Sequence, residues 1–499
     1  MRTSSRFLMI LLGMLAVSLW LSLLNSPAPN WDEGWTLALA RTWVEQGVYA
    51  QPLDTGLIAP SLAASFPTVV PVALAFKLLG VGYWQGRMAI ALLNVAALVS
   101  LALLARSLYG PRVALAVVPV LLLTTIHPMA NPFYMGRQTM AETPMLLLLT
   151  LAYLALVPAL DGSWRWTLLA VLMGGLALVA KAQPTPFWFF ALGVAVAWLL
   201  WLREWRKAAV IGLLLVGSWG VAHMIVVTWN LLVLDPTLPT QPVVGLTRTV
   251  ALVLTPTIRQ VALVFTLMMA IPSLLGMAWT AQTVWRERTN TQPQHVVRGI
   301  ILLFLGSWFA WYLLLSVAWG RYLYPVVFLG AMSATALLAE WSGDFHIPTF
   351  LQRLRGTTSQ RLQAVVVLIL LLVTLPLSLG YSLYTIKSAT VAPLEATAAW
   401  INTQTPPDAL IETNESELFL GLQRRYHFPP YQVHVVANQR RFLEEMVPFE
   451  YDPLVNPPDY LVTGPMEANW QLYAPLIAAG HFQLVQEFGV YRIYVQVEA

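Results

Sequence analysis

The 499-residue sequence contains no cysteine, and only 10% of its residues are charged. The first absence excludes disulfides, thiolate metal sites and cysteine nucleophiles. The second excludes a soluble surface, because an ordinary soluble domain carries about 25% charged residues. Charge of one sign is also scarce: the net charge is +4 and the basic residues are scattered from loop to loop, so nucleic acid is not an expected partner. The seven histidines fall in neither an H-x-x-x-H nor an H-E-x-x-H pattern, so no dedicated metal site is indicated. P-loop, dinucleotide-binding and G-x-S-x-G signatures are missing, as are tandem repeats and low-complexity tracts.

What the sequence has is apolar residues, 58% of the total, in runs that approach the roughly 20 residues needed to cross a bilayer as helix. Backbone groups in lipid must be satisfied internally, which makes helices the expected spanning element. The expected fold is an all-α polytopic membrane protein of about eleven transmembrane helices with a small C-terminal extracytoplasmic α/β domain. Spans are placed near residues 7–24, 87–106, 112–127, 140–160, 165–180, 184–202, 208–230, 259–284, 298–318, 322–341 and 362–385. The run Phe7–Leu24 follows Arg2 and Arg6 without a small-x-small cleavage site and reads as a retained signal anchor. With the N-terminus cytoplasmic, the segments between spans that carry Arg106, Arg112, Arg165, Arg203, Arg206, Lys207, Arg286, Arg288, Arg298, Arg353, Arg355 and Arg361 face the cytosol. That is the positive-inside distribution of a plasma-membrane, multi-pass protein. The chain divides into a membrane domain, residues 1–388, with a long first outer loop (25–86), and a soluble domain, residues 389–499.

In the first outer loop, Trp31–Gly47 has apolar residues at near-helical spacing and is predicted to lie as a helix at the interface. Phe66–Leu79, short and carrying Pro67 and Pro71, suits an interfacial or re-entrant helix. After residue 390, helices are predicted at 394–402, 440–446 and 470–479, strands at 409–412 and 460–463, and a terminal hairpin around Gly489.

The candidate chemistry sits at the outer ends of the spans. Asp32 and Glu33 open the Trp31 helix, where a carboxylate could take a proton from an acceptor hydroxyl at the lipid boundary. The plainer reading is that Asp32 caps the helix and Glu33 favours its dipole. Arg137 and Glu142 stand at the mouth of the fourth span, Lys181 ends the fifth, and Arg321, followed by Tyr322, begins the tenth. All three cations oppose the positive-inside bias. Any one of them could snorkel to headgroups, but three at helix mouths on one side, with two acids, point to a shared pocket for an anionic ligand. The 21 tryptophans are expected mainly as interfacial anchors, with Trp31 and Trp35 also candidates to stack on a sugar.

The order of these motifs resembles the GT-C integral-membrane glycosyltransferases, above all the branch of protein O-mannosyltransferases and the bacterial lipid A aminoarabinose transferase. The likeness is carried by Asp32-Glu33, by the Pro-led stretch closed by Gly80 and followed by Gly86-Arg87, by Gly136-Arg137 with Met140 and Glu142, and by Arg321-Tyr322 with Pro325. Lys181 matches a lysine that ends the fifth span there. The resemblance implies inverting transfer of a sugar from a polyprenyl-phosphate donor to an acceptor hydroxyl of a protein, lipid or glycan at the extracytoplasmic face, within membrane lipid. It implies Asp32 as general base, with Glu33 as the second catalytic candidate. Arg137, Lys181 and Arg321 would hold the donor phosphate, and Glu142, Tyr322, Trp35 and Arg87 would contact substrate. No cofactor is assigned, and a divalent metal is left open. Two departures stand out: Ser65-Phe66-Pro67-Thr68 replaces the Lys-Pro-Pro triplet of many relatives, and Trp35 replaces a tyrosine after the acidic pair. The competing class is a transporter or flippase for a lipid-linked or anionic substrate, which would show mid-membrane charges and paired interrupted helices. A third reading stays within glycosyl transfer, from a lipid-linked oligosaccharide.

Overall fold

The computed structural model describes residue 13 and residues 26–53, 56–60, 65–241, 243–388 and 390–497. The expected first span lies, Gly13 apart, outside the described residues. Among the described residues, helices Tyr83–Tyr109, Glu142–Leu160, Trp205–Leu232, Pro293–Leu314, Gly320–Ser342 and Thr358–Thr385 are long and apolar enough to cross a membrane. Four shorter apolar helices, Phe66–Leu79, Pro111–Thr124, Trp164–Ala180 and Thr185–Trp201, accompany them. Gly320–Ser342 is buried along its length at the centre of the bundle, whereas Trp205–Leu232 and Thr358–Thr385 turn most of their apolar side chains outward. Lipid takes the place of a protein neighbour on those faces.

One expected span is corrected. Residues 259–284 do not form a straight helix but two, Pro256–Met269 and Ile271–Arg286, bent by 82°. The break falls at Ala270, two residues before Pro272. Proline lacks an N–H for the preceding turn and disfavours helical backbone in the residue before it, so the chain restarts there.

The Trp31–Gln46 helix starts where its sequence says it should. Asn30 is the N-cap: its side chain accepts the Asp32 N–H (3.0 Å), and the Glu33 carboxylate reaches back to the Asn30 N–H (3.4 Å). This capping box removes the capping role from Asp32. Gly47, at φ 75°, closes the helix in the left-handed conformation that glycine adopts without strain. Contrary to expectation, the helix is not interfacial. Trp35, Leu37, Leu39 and Ala40 are fully buried, packed between Phe66–Leu79 and the C-terminal domain. Its charges explain the misreading. Glu33 is neutralised internally, and Arg41 donates to the carbonyls of Leu420 (2.9 Å) and Leu422 (3.1 Å).

The first outer loop carries a short antiparallel pair, β1 (Gln51–Leu53) and β2 (Gly56–Ile58), and the C-terminal domain is a five-stranded sheet of the next five strands in the order β4-β3-β5-β7-β6. Here β3 is Leu410–Thr413, β4 Arg425–His427, β5 Tyr460–Thr463, β6 Phe482–Phe488 and β7 Tyr491–Gln496. β3 pairs in parallel with β4 and β5, and β7 runs antiparallel to β5 and β6. The hairpin around Gly489 and the strands at 410–413 and 460–463 lie where they were expected. The helix predicted at 440–446 instead occupies Tyr431–Phe442, because Arg440 and Arg441 suit its C-terminal turn rather than its start. The helix predicted at 470–479 is two short ones, Pro465–Trp470 and Ala474–Ala478, divided at Gln471 with φ 55°.

The sheet domain and the first outer loop share one core: Trp35, Val69, Phe76, Ile411, Phe419 and Ile493 belong to the same buried apolar cluster. Burying each such side chain is worth about 1.5–3 kcal/mol, so the two parts are held as one body. The backbones come close at Gly34, where a Cβ would overlap the backbone of Ser416 and Glu417. Gly34→Ala should therefore lower the thermal unfolding midpoint of the purified protein, at a cost of about 1–3 kcal/mol. An unchanged midpoint would show that this contact yields freely.

The segment after β3 brings buried carboxylates to that junction. Burial pushes Glu417 and Glu467 up to about 7 and raises Glu415 well above the carboxylate range. Glu415 nonetheless accepts the N–H groups of Met466 and Glu467 (both 2.9 Å at the shorter oxygen), and Tyr491 donates to Glu417 (3.1 Å). An acid whose folded pKa is raised stabilises the fold fully below its unfolded value and loses that contribution as pH rises through the folded one. His434, lowered to about 4 by burial, works the other way over the same range. Three acids outweigh one histidine, so hydrogen-exchange protection of residues 414–417, corrected for intrinsic rates, should fall between about pH 4.5 and 7. Rising protection over that interval would contradict the assignment.

Candidate active site

Four elements from distant parts of the sequence converge beside the N-terminus of the Trp31 helix. Asp32 lies in the helix's first turn, Glu142 opens Glu142–Leu160, Lys181 follows the last residue of Trp164–Ala180, and Arg321 sits in the 3-10 turn Gly320–Leu323. Arg321 pairs with Asp32, and Lys181 pairs with Glu142. The two pairs are joined by an approach of 4.0 Å between Arg321 Nε and Glu142. The Arg321 guanidinium also faces Met140 Sδ (3.4 Å) and lies over the rings of Trp319 (4.8 Å) and Tyr322 (5.7 Å). Lys181 Nζ stands 5.3 Å from the Tyr322 ring centre, so that one aromatic ring lies within reach of both cations. Ser65, in the segment that departs from the Lys-Pro-Pro pattern, donates to the Ala180 carbonyl (2.7 Å) immediately before Lys181.

Access differs within the cluster. The Asp32, Lys181 and Arg321 side chains are 22%, 20% and 12% exposed, whereas Glu142 is 3% exposed. A ligand can therefore reach one carboxylate and both cations, while Glu142 is the enclosed counter-ion that keeps Lys181 in place.

A second charged group lies behind the first and is closed. Glu33 and Arg87 form a bidentate pair (2.8 and 2.7 Å) with both side chains fully buried. Arg87 also donates to the Pro27 carbonyl (2.7 Å), and Glu33 accepts the Thr139 N–H (3.3 Å). Both expected site residues, Glu33 as a second catalytic acid and Arg87 as a substrate contact, are thus turned toward each other in this structure. Both tie the first loop to helix Tyr83–Tyr109. Trp35, expected as a substrate contact, is fully buried among Phe419, Phe428 and Tyr431. Arg137 lies near Arg87 and Tyr134 rather than in the Asp32 pairings, and its guanidinium donates to the Phe133 carbonyl.

Sequence reading missed the contribution of the C-terminal domain. Ser416 donates to the Trp31 carbonyl (2.6 Å), Trp31 Nε1 donates to the Asn414 carbonyl (3.1 Å), and His434 stacks on Trp31 (4.9 Å) close enough to feel the Asp32 charge. These contacts bridge more than 380 residues, and no local pattern announces them. The Asn30-x-x-Glu33 capping signature, by contrast, was present to be read. Among the described residues, no group of three or more His, Asp or Glu converges as a metal-holding set.

Residues 70–229 match the model of the dolichyl-phosphate-mannose-protein mannosyltransferase family. The whole fold is similar to that of ArnT from Cupriavidus metallidurans, solved bound to undecaprenyl phosphate (14% identity, 99% of each chain, TM-score 0.57). It is also similar to the oligosaccharyltransferase AglB from Archaeoglobus fulgidus, solved with an inhibitory peptide and a dolichol-phosphate (12% identity, 98% of this chain and 74% of that one, TM-score 0.55). The chain has the GT-C glycosyltransferase fold. No curated protein matches the sequence. Residues 70–229, which match the family model, take in several of the apolar helices, and the first outer loop meets the C-terminal domain at Trp31, beside Asp32.

Proposed function

We propose that this GT-C enzyme moves a sugar from a polyprenyl phosphate to an acceptor hydroxyl, with inversion, at the extracytoplasmic face. The observation that carries the reading is the pairing of a reachable carboxylate, Asp32, with Arg321, beside Lys181 and its buried counter-ion Glu142. A lipid phosphate is already a good leaving group and needs charge stabilisation more than protonation. Arg321 and Lys181 supply that from fixed positions, as oriented cations do in other charge-developing reactions. Asp32 takes the hydroxyl proton as the new glycosidic bond forms. One catalytic carboxylate suffices for a single inverting displacement, in contrast with the pair that hydrolases use. Tyr322 lies beside both cations, and Arg137 is assigned as a further contact to the donor phosphate. The distribution of loop arginines supports a cytoplasmic N-terminus and an extracytoplasmic C-terminal domain. The undecaprenyl phosphate and dolichol-phosphate bound in the two similar solved structures support the donor class.

The test is to incubate the purified protein with a panel of polyprenyl-phosphate sugars and candidate acceptors and to measure released lipid phosphate. Release with at least one donor, and its loss in Lys181→Ala by about 10²-fold or more, is expected. Failure to release lipid phosphate from every donor would remove the reading.

A further inference from the structure

Within the site the charges are satisfied among themselves. Two cations face two carboxylates: Arg321 with Asp32, Lys181 with Glu142, and the 4.0 Å link between them. The site thus has no surplus positive charge to offer an incoming phosphate. The two carboxylates are not equivalent, however, because Glu142 is enclosed and Asp32 is open to a ligand. Glu142 is a permanent partner for Lys181. Asp32 is an exchangeable partner for Arg321.

We propose that Arg321 changes partner during turnover, from the Asp32 carboxylate in the free enzyme to the lipid phosphate as it departs, so that protonation of the base and charging of the leaving group are coupled through one guanidinium. The inference rests on the donor class and base assigned above. In the step itself, the acceptor oxygen bonds to the anomeric carbon and the bond from that carbon to the phosphate oxygen breaks, its electron pair staying on the phosphate. The hydroxyl proton goes to Asp32. The donor is a phosphodiester with one negative charge, and the product is a monoester that carries up to two above a second pKa of about 6. One unit of negative charge therefore disappears at Asp32 as one appears at the phosphate. The total charge in the site is constant, and Arg321, which lies against the first position, follows it to the second.

The consequence concerns product release. An ionised Asp32 competes with the lipid phosphate for Arg321, and a protonated Asp32 does not. Product is held while the base carries the acceptor's proton and is displaced when that proton passes to water, so resetting the base and expelling the lipid become one event.

The experiment measures binding of undecaprenyl phosphate to the purified full chain in detergent at pH 7.5, for wild type, Asp32→Asn, Asp32→Ala, Arg321→Gln and the Asp32→Asn/Arg321→Gln double variant. Removing the competing charge should tighten binding about tenfold in both Asp32 variants, and Arg321→Gln should erase that gain in the double variant. Equal or weaker binding by Asp32→Asn and Asp32→Ala, with thermal transitions like wild type, overturns the exchange while leaving the proposed function standing. A gain that persists in the double variant overturns it too. If neither wild type nor any variant binds the lipid, the donor reading falls and the exchange falls with it.

Discussion

Asp32→Asn is expected to reach the membrane in normal amounts, unfold at the wild-type temperature and release lipid phosphate about 10²–10⁴-fold more slowly in the presence of acceptor. The fold should tolerate the change because Asp32 does not cap its helix. Asn30 and Glu33 share that task, and the Asp32 side chain is committed to Arg321 alone among the described contacts. The amide keeps the shape of the carboxylate but cannot accept the acceptor proton. Lipid phosphate binding should survive, which separates loss of the base from loss of the donor site. Full turnover in this variant would displace Asp32 from the mechanism and require another acceptor for the proton. The same measurement weighs against transport as the underlying activity, since a carrier would release no lipid phosphate in either form.

The second large effect is on stability. Glu33→Gln leaves the Arg87 guanidinium buried without its counter-charge, and breaking a buried pair from one side costs about 3–5 kcal/mol. That is a large share of the stability of a typical domain, so the variant should accumulate poorly and unfold at a markedly lower temperature. Replacing both partners with methionine removes the unpaired charge together with its cause. Such a repacked pair is often neutral or better, and the double variant should recover most of the expression. It should also recover transfer activity to within about tenfold, the loss reflecting the weakened capping box at Asn30. A double variant that folds well but transfers nothing would return Glu33 to the catalytic machinery.

These two neighbours, adjacent in the chain, show how far sequence could distinguish roles. Asp32 and Glu33 are both acids in an outer loop, and nothing local decides which one faces a ligand. A helix turns about 100° per residue, so successive side chains leave it in different directions. Which direction is wet depends on what packs around the helix. Helix Tyr83–Tyr109 brings Arg87 against one direction, and the turn at Gly320–Leu323 brings Arg321 against the other. The same reasoning applies to Trp35, whose amphipathic-looking setting became a core position once Phe419, Phe428 and Tyr431 arrived from the sheet domain. The helix near 440 differs for another reason: Arg440 and Arg441 favour the negative end of the helix dipole and so close Tyr431–Phe442 rather than open a new helix.

By itself the sequence determined the membrane class, most of the helix positions, the sheet character of the last hundred or so residues and the set of charges from which the site is drawn. These follow from local physics, since hydrocarbon admits only uncharged helical segments of sufficient length and makes every ionisable exception conspicuous. The tertiary structure alone decided that Asp32 meets Arg321 while Glu33 meets Arg87, that Glu142 is sealed against Lys181, and that the C-terminal domain seats Trp31 through Asn414 and Ser416. Those outcomes depend on contacts separated by 39 to 385 residues, where burial of apolar surface fixes the packing and the charges take whichever partners that packing brings within reach.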